Sequence, residues 1–227
     1  MDELTQSAFL LHSRPYREHQ QLLDFFTEHD GRVAAITYIG KSKKSNKKAL
    51  LQAFSPLKIE LYGQGSLKKL RQVEAGGKSY LLTNNHLYSA FYLNELLVRL
   101  LGEQISCQTL FEQYHQSLIT LSKQQPIEII LRNFELALLD ELGLSFDFSP
   151  VFDLNTSHFY YVVEQGFVPA SSKLALPCYQ AKHLQLIAQQ VLSSPEVLHC
   201  FKVLMRQVLH HALGGKPLHS RKLFTQS

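Results

Sequence analysis

The sequence predicts an α+β chain, a small β-barrel or sandwich at the N-terminus followed by a mainly helical domain. Three observations lead there. Residues 1–79 alternate short apolar, β-branched and aromatic runs with turn residues and show no helical period. From about residue 80 the apolar spacing changes from two to 3.6. The 227 residues are 45% hydrophobic and 19% charged, enough for one sizeable core or two modest ones and too apolar for a disordered chain. No internal repeat is visible. The domains read as 1–79 and 80–227.

Each element has a local reason. Ser7 to His12 is a short strand of small and apolar residues. Leu22 to Thr27 and Arg32 to Ile39 flank Glu28-His29-Asp30-Gly31, and an Asp-Gly pair between two such runs signals a hairpin because Gly supplies the positive φ of a tight turn. A second pair, Ala49 to Tyr62 and Ser66 to Glu74, is separated by Gly63-Gln64-Gly65, with the lysine-rich 41–48 as a loop between strands. Leu87, Phe91, Leu97 and Leu101 mark a first helix, and Leu110, Tyr114, Leu118 and Leu121 a second. A third starts at Pro126, carries Ile127, Ile130, Leu131, Phe134, Leu138 and Leu142, and stops at Gly143. Residues 144–178 read as aromatic loop with a hairpin around Phe159 to Phe167. A helix over 180–192 follows. The last helix opens at Ser193-Ser194-Pro195-Glu196, a capping-box pattern, and ends at Gly214-Gly215.

The formal charge of +4 conceals a strong partition. Residues 1–40 carry −3, residues 41–71 carry +8, residues 72–200 carry −6 and residues 201–227 carry +5. Two basic segments therefore sit on an acidic body, and where charge lies matters more for a polyanion than the total. The first contains Lys41, Lys43, Lys44, Lys47 and Lys48, followed by Lys58, Lys68, Lys69 and Arg71. Lysines supply point charges to phosphates, and the interleaved serines and Asn46 supply hydrogen-bond donors. A solvated charged loop explains a lone lysine run equally well. The further cations on neighbouring strands favour nucleic acid, since small OB-type barrels bind strands across such a face. Tyr16, Tyr38, Phe54 and Tyr62 are candidate platforms for bases, against a core role for most of them. Arg14 and Arg17 flank Pro15-Tyr16 and add two cations, or make an ordinary turn. For Lys216 and Arg221, beyond the last helix, a phosphate contact and a solvated tail both stand.

Several classes are excluded. The most apolar stretch, Leu87 to Leu101, is broken by Asn94, Glu95 and Arg99, so no membrane span is expected. The acidic Met1 to Thr5 lacks the charge of a secretory signal, and Cys107, Cys178 and Cys200 are too few and too scattered for a disulfide framework or a paired-cysteine zinc site. A cytosolic protein is expected. Serine-hydrolase, zinc-protease and dinucleotide motifs are absent, and the C-terminal Gly-Lys lacks phosphate-loop spacing, so no enzyme is expected. On the third helix, Phe134 and Leu138 read as core or, with Arg132, as an apolar groove for a peptide ending in an aromatic residue and a carboxylate.

The stretches Phe9–Glu18, Leu23–Glu28, Gly31–Val33, Gly40–Lys43, Leu51–Leu57, Leu67–Arg71, Leu87–Leu96, Arg132–Leu139 and Gly215–Arg221 together resemble, in order and over nearly the whole chain, the RecO family of bacterial DNA repair and recombination mediators. That resemblance implies an OB-fold N-domain, a helical domain, no cofactor and a cytoplasmic, nucleoid-associated protein. It implies binding to single- and double-stranded DNA, annealing of complementary strands, and help in loading RecA onto DNA covered by single-strand binding protein (SSB). The implied partners are RecR, in some pathways RecF, and the acidic, Phe-ending SSB tail, for which Arg132, Phe134 and Leu138 are the positions carried over. The DNA-contact set expected from the basic residues themselves is Arg14, Arg17, Lys41, Lys43, Lys44, Lys47, Lys48, Lys68, Lys69, Arg71, Lys216 and Arg221. A protein-interaction adaptor with incidental DNA affinity is the alternative. Many members carry a four-cysteine zinc insertion after the third helix. The stretch at about 144–178 reads as its cysteine-free remnant, Phe146 to Phe167 carrying none of the ligands, and Phe148, Phe152, Phe159 and Tyr160 are expected to hold it by apolar burial instead.

Overall fold

A computed structural model of the chain describes residues 5–38 and 47–225. Two compact units form: unit 1 is 1–125 with 218–227, and unit 2 is 126–217.

In unit 1, β1 (Gln6–Pro15), β2 (Gln20–Thr27), β3 (Gly31–Tyr38), β4 (Leu57–Tyr62) and β5 (Leu67–Ala75) close into a barrel in the order β1-β2-β3-β5-β4. The β3–β5 pair is parallel and the others are antiparallel, which is the OB-fold. Ala8, Leu10, Leu23, Phe25, Ala35, Leu57, Ile59, Leu70 and Val73 fill the interior. The strand expected from Ala49 does not begin there. Lys47–Leu50 forms a single helical turn, α1, and β4 starts only at Leu57. One turn lets Leu50 and Leu51 both reach the barrel core, which consecutive strand residues, pointing to opposite faces, do not. This also corrects the loop expectation for Lys47 and Lys48.

The β2–β3 turn is the expected one. Gly31 adopts φ +65°, and a Cβ there would meet the Ile105 carbonyl oxygen at 1.8 Å. Thr27 Oγ1 donates to the Gly31 carbonyl at 2.9 Å and accepts from Asp30 N at 3.2 Å.

From Ala8 to Leu11, β1 is buried on both faces. Ala8 and Leu10 enter the barrel, while Phe9 and Leu11 face α2 (Asn84–Leu100) and α3 (Gln108–Ser122). The Phe9 ring lies 5.7 Å from Phe111 and 5.2 Å from Tyr114, and Phe26 lies 5.4 Å from Phe111. The β1–β2 register shifts between Leu10 and His12, a bulge that takes Leu11 out of the ladder. Its carbonyl accepts from Asn94 Nδ2 at 3.0 Å, and Asn94 Oδ1 accepts from the buried Tyr114 hydroxyl at 2.6 Å. Burial pushes the Tyr114 phenol upward in pKa, so it stays a donor.

Unit 2 contains α4 (Ile127–Glu141), a 3-10 turn at Ser149–Phe152, and three strands, β6 (His158–Val162), β7 (Gly166–Pro169) and β8 (Cys178–Gln180), ordered β7-β6-β8. α5 (Ala181–Ala188) and α6 (Pro195–Ala212) follow. The helix N-cap of α6 is Ser194, whose side chain accepts from Val197 N at 3.2 Å. Glu196 is thus one position short of the reciprocal capping-box place, and the expected box is a simple cap. Phe159 and Tyr160 are buried as expected, but Phe152 is exposed. The aromatic cluster is instead Phe146, Phe148, Tyr161 and Phe167, with Phe148 and Phe167 stacked at 5.1 Å. Phe152 lies at the end of a 3-10 turn whose inward position is taken by Val151, fully buried.

Candidate nucleic-acid interface

α2 and α3 cover the β1–β2 side of the barrel, so the solvated side of unit 1 is made by β3, β5 and β4. On β5, Leu70 and Val73 point inward while Lys69 and Arg71 are exposed. On β3, Thr37 is buried and Tyr38 stands 60% exposed. Strand pairing sets the neighbours: Ile36 beside Lys69 across β3–β5, and Lys69 opposite Tyr62 across β5–β4.

The cations here are held, and each by a different partner. Arg71 donates through one Nη to Glu60 Oε1 at 2.8 Å and stacks 5.0 Å from the Tyr62 ring centroid. Lys69 Nζ lies 5.8 Å from the same ring. Lys68 Nζ donates to the Gly63 carbonyl of its own hairpin at 2.9 Å, and Lys47 Nζ to the Arg71 carbonyl at 3.4 Å. Lys58 is elsewhere, donating to Ser7 Oγ at 2.9 Å beside Glu28. A hydrogen bond from Ser7 chiefly holds the Glu28 carboxyl below its ordinary pKa, partly offset by desolvation, with charge at His29 and Lys58 adding to the lowering.

Of the twelve positions expected to contact DNA, Lys47, Lys68, Lys69 and Arg71 are therefore brought together at the β4–β5 end of the barrel. Lys48 is exposed on α1. Arg14 and Arg17 are exposed around the β1–β2 connection, with Arg17 Cζ 5.3 Å from the Tyr16 ring. Lys41, Lys43 and Lys44 lie outside the described residues. Lys216 belongs to unit 2 and Arg221 to unit 1. Phe54 is no platform: it is buried and packs edge-to-face on Phe91 at 5.0 Å.

The segment carrying Arg221 corrects the picture of a solvated tail. Leu218 and Ser220 are buried, and a 3-10 helix spans Ser220–Thr225. One carboxylate on α2 holds it. Glu95 accepts from His219 N and Ser220 N at 2.8 Å each and from Ser220 Oγ at 2.6 Å. Desolvation acts to raise the Glu95 pKa, but those hydrogen bonds and charge at His219 outweigh it and hold the carboxyl below its ordinary value. Glu95 is not legible as an anchor in the sequence: its nearby pairing with Arg99 at 3.7 Å reads as an ordinary i,i+4 ion pair, and the His219 and Ser220 groups it accepts from lie more than 120 residues away. Arg221 and Lys222 are exposed on this anchored segment.

The resulting charge is uneven. Unit 1 holds 17 Lys and Arg against 11 acids, and unit 2 holds 6 against 8. In unit 2, Arg132 is buried and donates through Nη2 to Glu135 Oε1 at 2.5 Å, while Phe134 and Leu138 are fully buried. None of these three side chains presents an open face.

The family model described as recombination protein O N terminal matches residues 1–77, and recombination protein O C terminal matches residues 83–222. The chain belongs to the recombination protein O family. Among curated relatives, a DNA repair protein RecO of Aliivibrio fischeri (strain MJ11) is 39% identical over 229 residues, spanning 99% of this chain and 96% of that one. RecO of Hahella chejuensis is 40% identical over 96% of this chain and 93% of its own. RecO of Proteus mirabilis is 40% identical over 97% and 92%. The N-terminal RecO match ends just beyond β5, and the C-terminal match begins at Thr83, the residue that caps α2. The compact unit continues past that boundary to Gln125 and regains the chain at Leu218.

The four-cysteine zinc insertion of many RecO proteins does not fit this chain. The stretch expected to be cysteine-free, about 144–178, in fact ends on one cysteine, Cys178, which is exposed at the start of β8; none lies between Leu144 and Pro177, and the aromatic cluster occupies the region. Among the described residues no group of three or more His, Cys, Asp or Glu is placed to hold a metal, and no helix is long and apolar enough to cross a membrane.

Proposed function

We propose that the protein acts in recombinational DNA repair as a DNA-binding mediator that anneals complementary strands and helps load RecA onto SSB-coated single-stranded DNA. The observation that carries this reading is the cationic edge formed by exposed Lys69 and Arg71 with half-buried Lys47 and Lys68 on the β4–β5 side of an OB barrel. A positive edge lowers the repulsion between two phosphate backbones brought to it, and binding releases their condensed counterions. Both strands then dwell near one another without any bond being made or broken by the protein. The basic 41–48 segment, Arg14, Arg17, Lys216 and Arg221 extend the contact set.

The partners in this reading are DNA, the SSB tail and RecR, with RecF and RecA reached indirectly. Docking of the SSB tail through Arg132, Phe134 and Leu138 requires parting the Arg132–Glu135 pair, because an acidic tail competes with Glu135 for the same guanidinium.

Strand annealing with and without SSB, at two salt concentrations, tests the reading. Annealing accelerated by the protein and suppressed by salt is expected. Replacing Lys47, Lys68, Lys69 and Arg71 by Ala is expected to reduce the log–log salt slope by roughly three units, at about 0.7 to 0.9 per lost phosphate contact. An unchanged slope removes this edge from the binding surface.

A further inference from the structure

We infer that Tyr62 and Tyr38 form a stacking platform for unpaired bases, and that this platform, rather than the lysines, makes the barrel prefer single-stranded DNA to duplex. The inference rests on the DNA-binding reading above and assigns a separate task to separate residues.

Three features of the outer barrel face point there. First, the two rings are exposed, at 38% for Tyr62 and 60% for Tyr38, in a unit whose other large apolar side chains on β1 and β2 are covered by helices. Second, both stand on one sheet face and are separated by a single strand. Tyr62 is opposite Lys69 on β5, and Lys69 is beside Ile36, two residues before Tyr38 on β3. Two strand spacings of about 4.8 Å and a two-residue rise of about 6.6 Å along β3 separate the two positions, roughly 12 Å in all, so a single strand crossing the face obliquely meets both rings in turn. Third, each ring is steadied by a neighbour. Arg71 is held by Glu60 and lies against Tyr62, with Lys69 on the same ring, and the His19 imidazole lies 5.9 Å from Tyr38.

The chemistry follows from the π-faces. An exposed phenol ring next to a planar guanidinium offers flat surface on which an unpaired base stacks, while the adjacent cation faces the phosphate. In a duplex the bases are already stacked on one another, and only phosphates reach the same face. The rings therefore add affinity to single strands alone, whereas the lysines add it to both forms. Stacking also involves no counterion, so it leaves the salt slope untouched.

The test uses the full chain with a fluorescein-labelled oligo(dT) and, separately, a labelled duplex of the same length, titrated by anisotropy at several salt concentrations. The pair Tyr38→Leu with Tyr62→Leu is expected to weaken oligo(dT) binding by about tenfold or more, leave the duplex within about twofold and keep the salt slope. The pair Tyr38→Phe with Tyr62→Phe keeps the rings and is expected to bind as the unaltered chain does. Because both side chains are on the surface, a thermal melt of each variant superimposable on that of the unaltered protein is also expected. The inference is overturned if the leucine pair binds oligo(dT) normally, loses both DNA forms equally, or is matched in its loss by the phenylalanine pair. Failure of the unaltered protein to bind either DNA overturns the DNA-binding reading itself, a distinct result.

Discussion

Replacing Glu95 by Gln is expected to loosen the C-terminal segment without unfolding unit 1. The carboxylate is 15% exposed and takes three hydrogen bonds, at 2.8, 2.8 and 2.6 Å, from the first residues of the segment. Bonds to a charged acceptor contribute about 1.5 to 3 kcal/mol each, and the amide of Gln retains one acceptor oxygen while turning a donor toward a donor. A net loss of about 2 kcal/mol, roughly 30-fold in the local opening equilibrium, follows. Hydrogen exchange at the His219 and Ser220 amides reads this directly, since both N–H groups end on Glu95. Acid reports the same bond. The folded-state pKa of Glu95 is depressed, so its contribution is complete above the unfolded value of about 4.3 and is lost as pH falls through the lower folded value. Protection in the unaltered chain is therefore expected to hold from neutral pH down to about 5 and to fall only in stronger acid. Equal amide protection in the Gln variant and the unaltered chain at neutral pH would refute the idea that this carboxylate holds the segment.

Two other changes probe what positions the barrel. Asn94→Ala strands the Leu11 carbonyl at the β1 bulge and removes the acceptor for the Tyr114 hydroxyl, an expected loss of about 3 kcal/mol in urea unfolding. Tyr114→Phe removes one hydroxyl and is expected to lose about 1 kcal/mol, so equal losses would contradict the assigned geometry. Gly31→Ala combines a positive φ with a Cβ 1.8 Å from the Ile105 carbonyl oxygen, and a loss of about 3 kcal/mol or more in thermal unfolding is expected. An unchanged melt would mean that the Ile105 backbone yields freely.

Local signals carried the parts of the fold that are local in origin. The Asp30-Gly31 turn is legible because the demand for positive φ acts on one residue, and α4 and α6 because their apolar period runs for four turns between clear ends. The α1 turn is not legible. A run such as Ala49-Leu50-Leu51 suits strand and helix alike, and only its distance from the barrel core decides. The same limit applies to aromatics. Phe146, Tyr161 and Phe167 cluster while Phe152 is exposed, a choice made by which side of a hairpin or turn faces the core. At the interface, lysine density pointed to the barrel, but pairing across β3, β5 and β4 selects Lys69 and Arg71 over Lys58 and separates Tyr62 from the buried Phe54. The Glu95 bond to Ser220 has no local signal at all.

That bond also bears on synthesis. Residues 126–217 form their own unit between the two parts of unit 1, so the barrel and its helices emerge from the ribosome long before the piece that finishes them. At roughly 5 to 20 residues per second, the delay between Gln125 and Leu218 is about 5 to 19 seconds. During that interval Leu11, Phe91 and Val98, which line one groove with Leu223 and His219, face solvent without their cover. The nascent barrel thus spends its first seconds with an apolar strip exposed, and the segment carrying His219, Ser220 and Leu223 is the one that closes it.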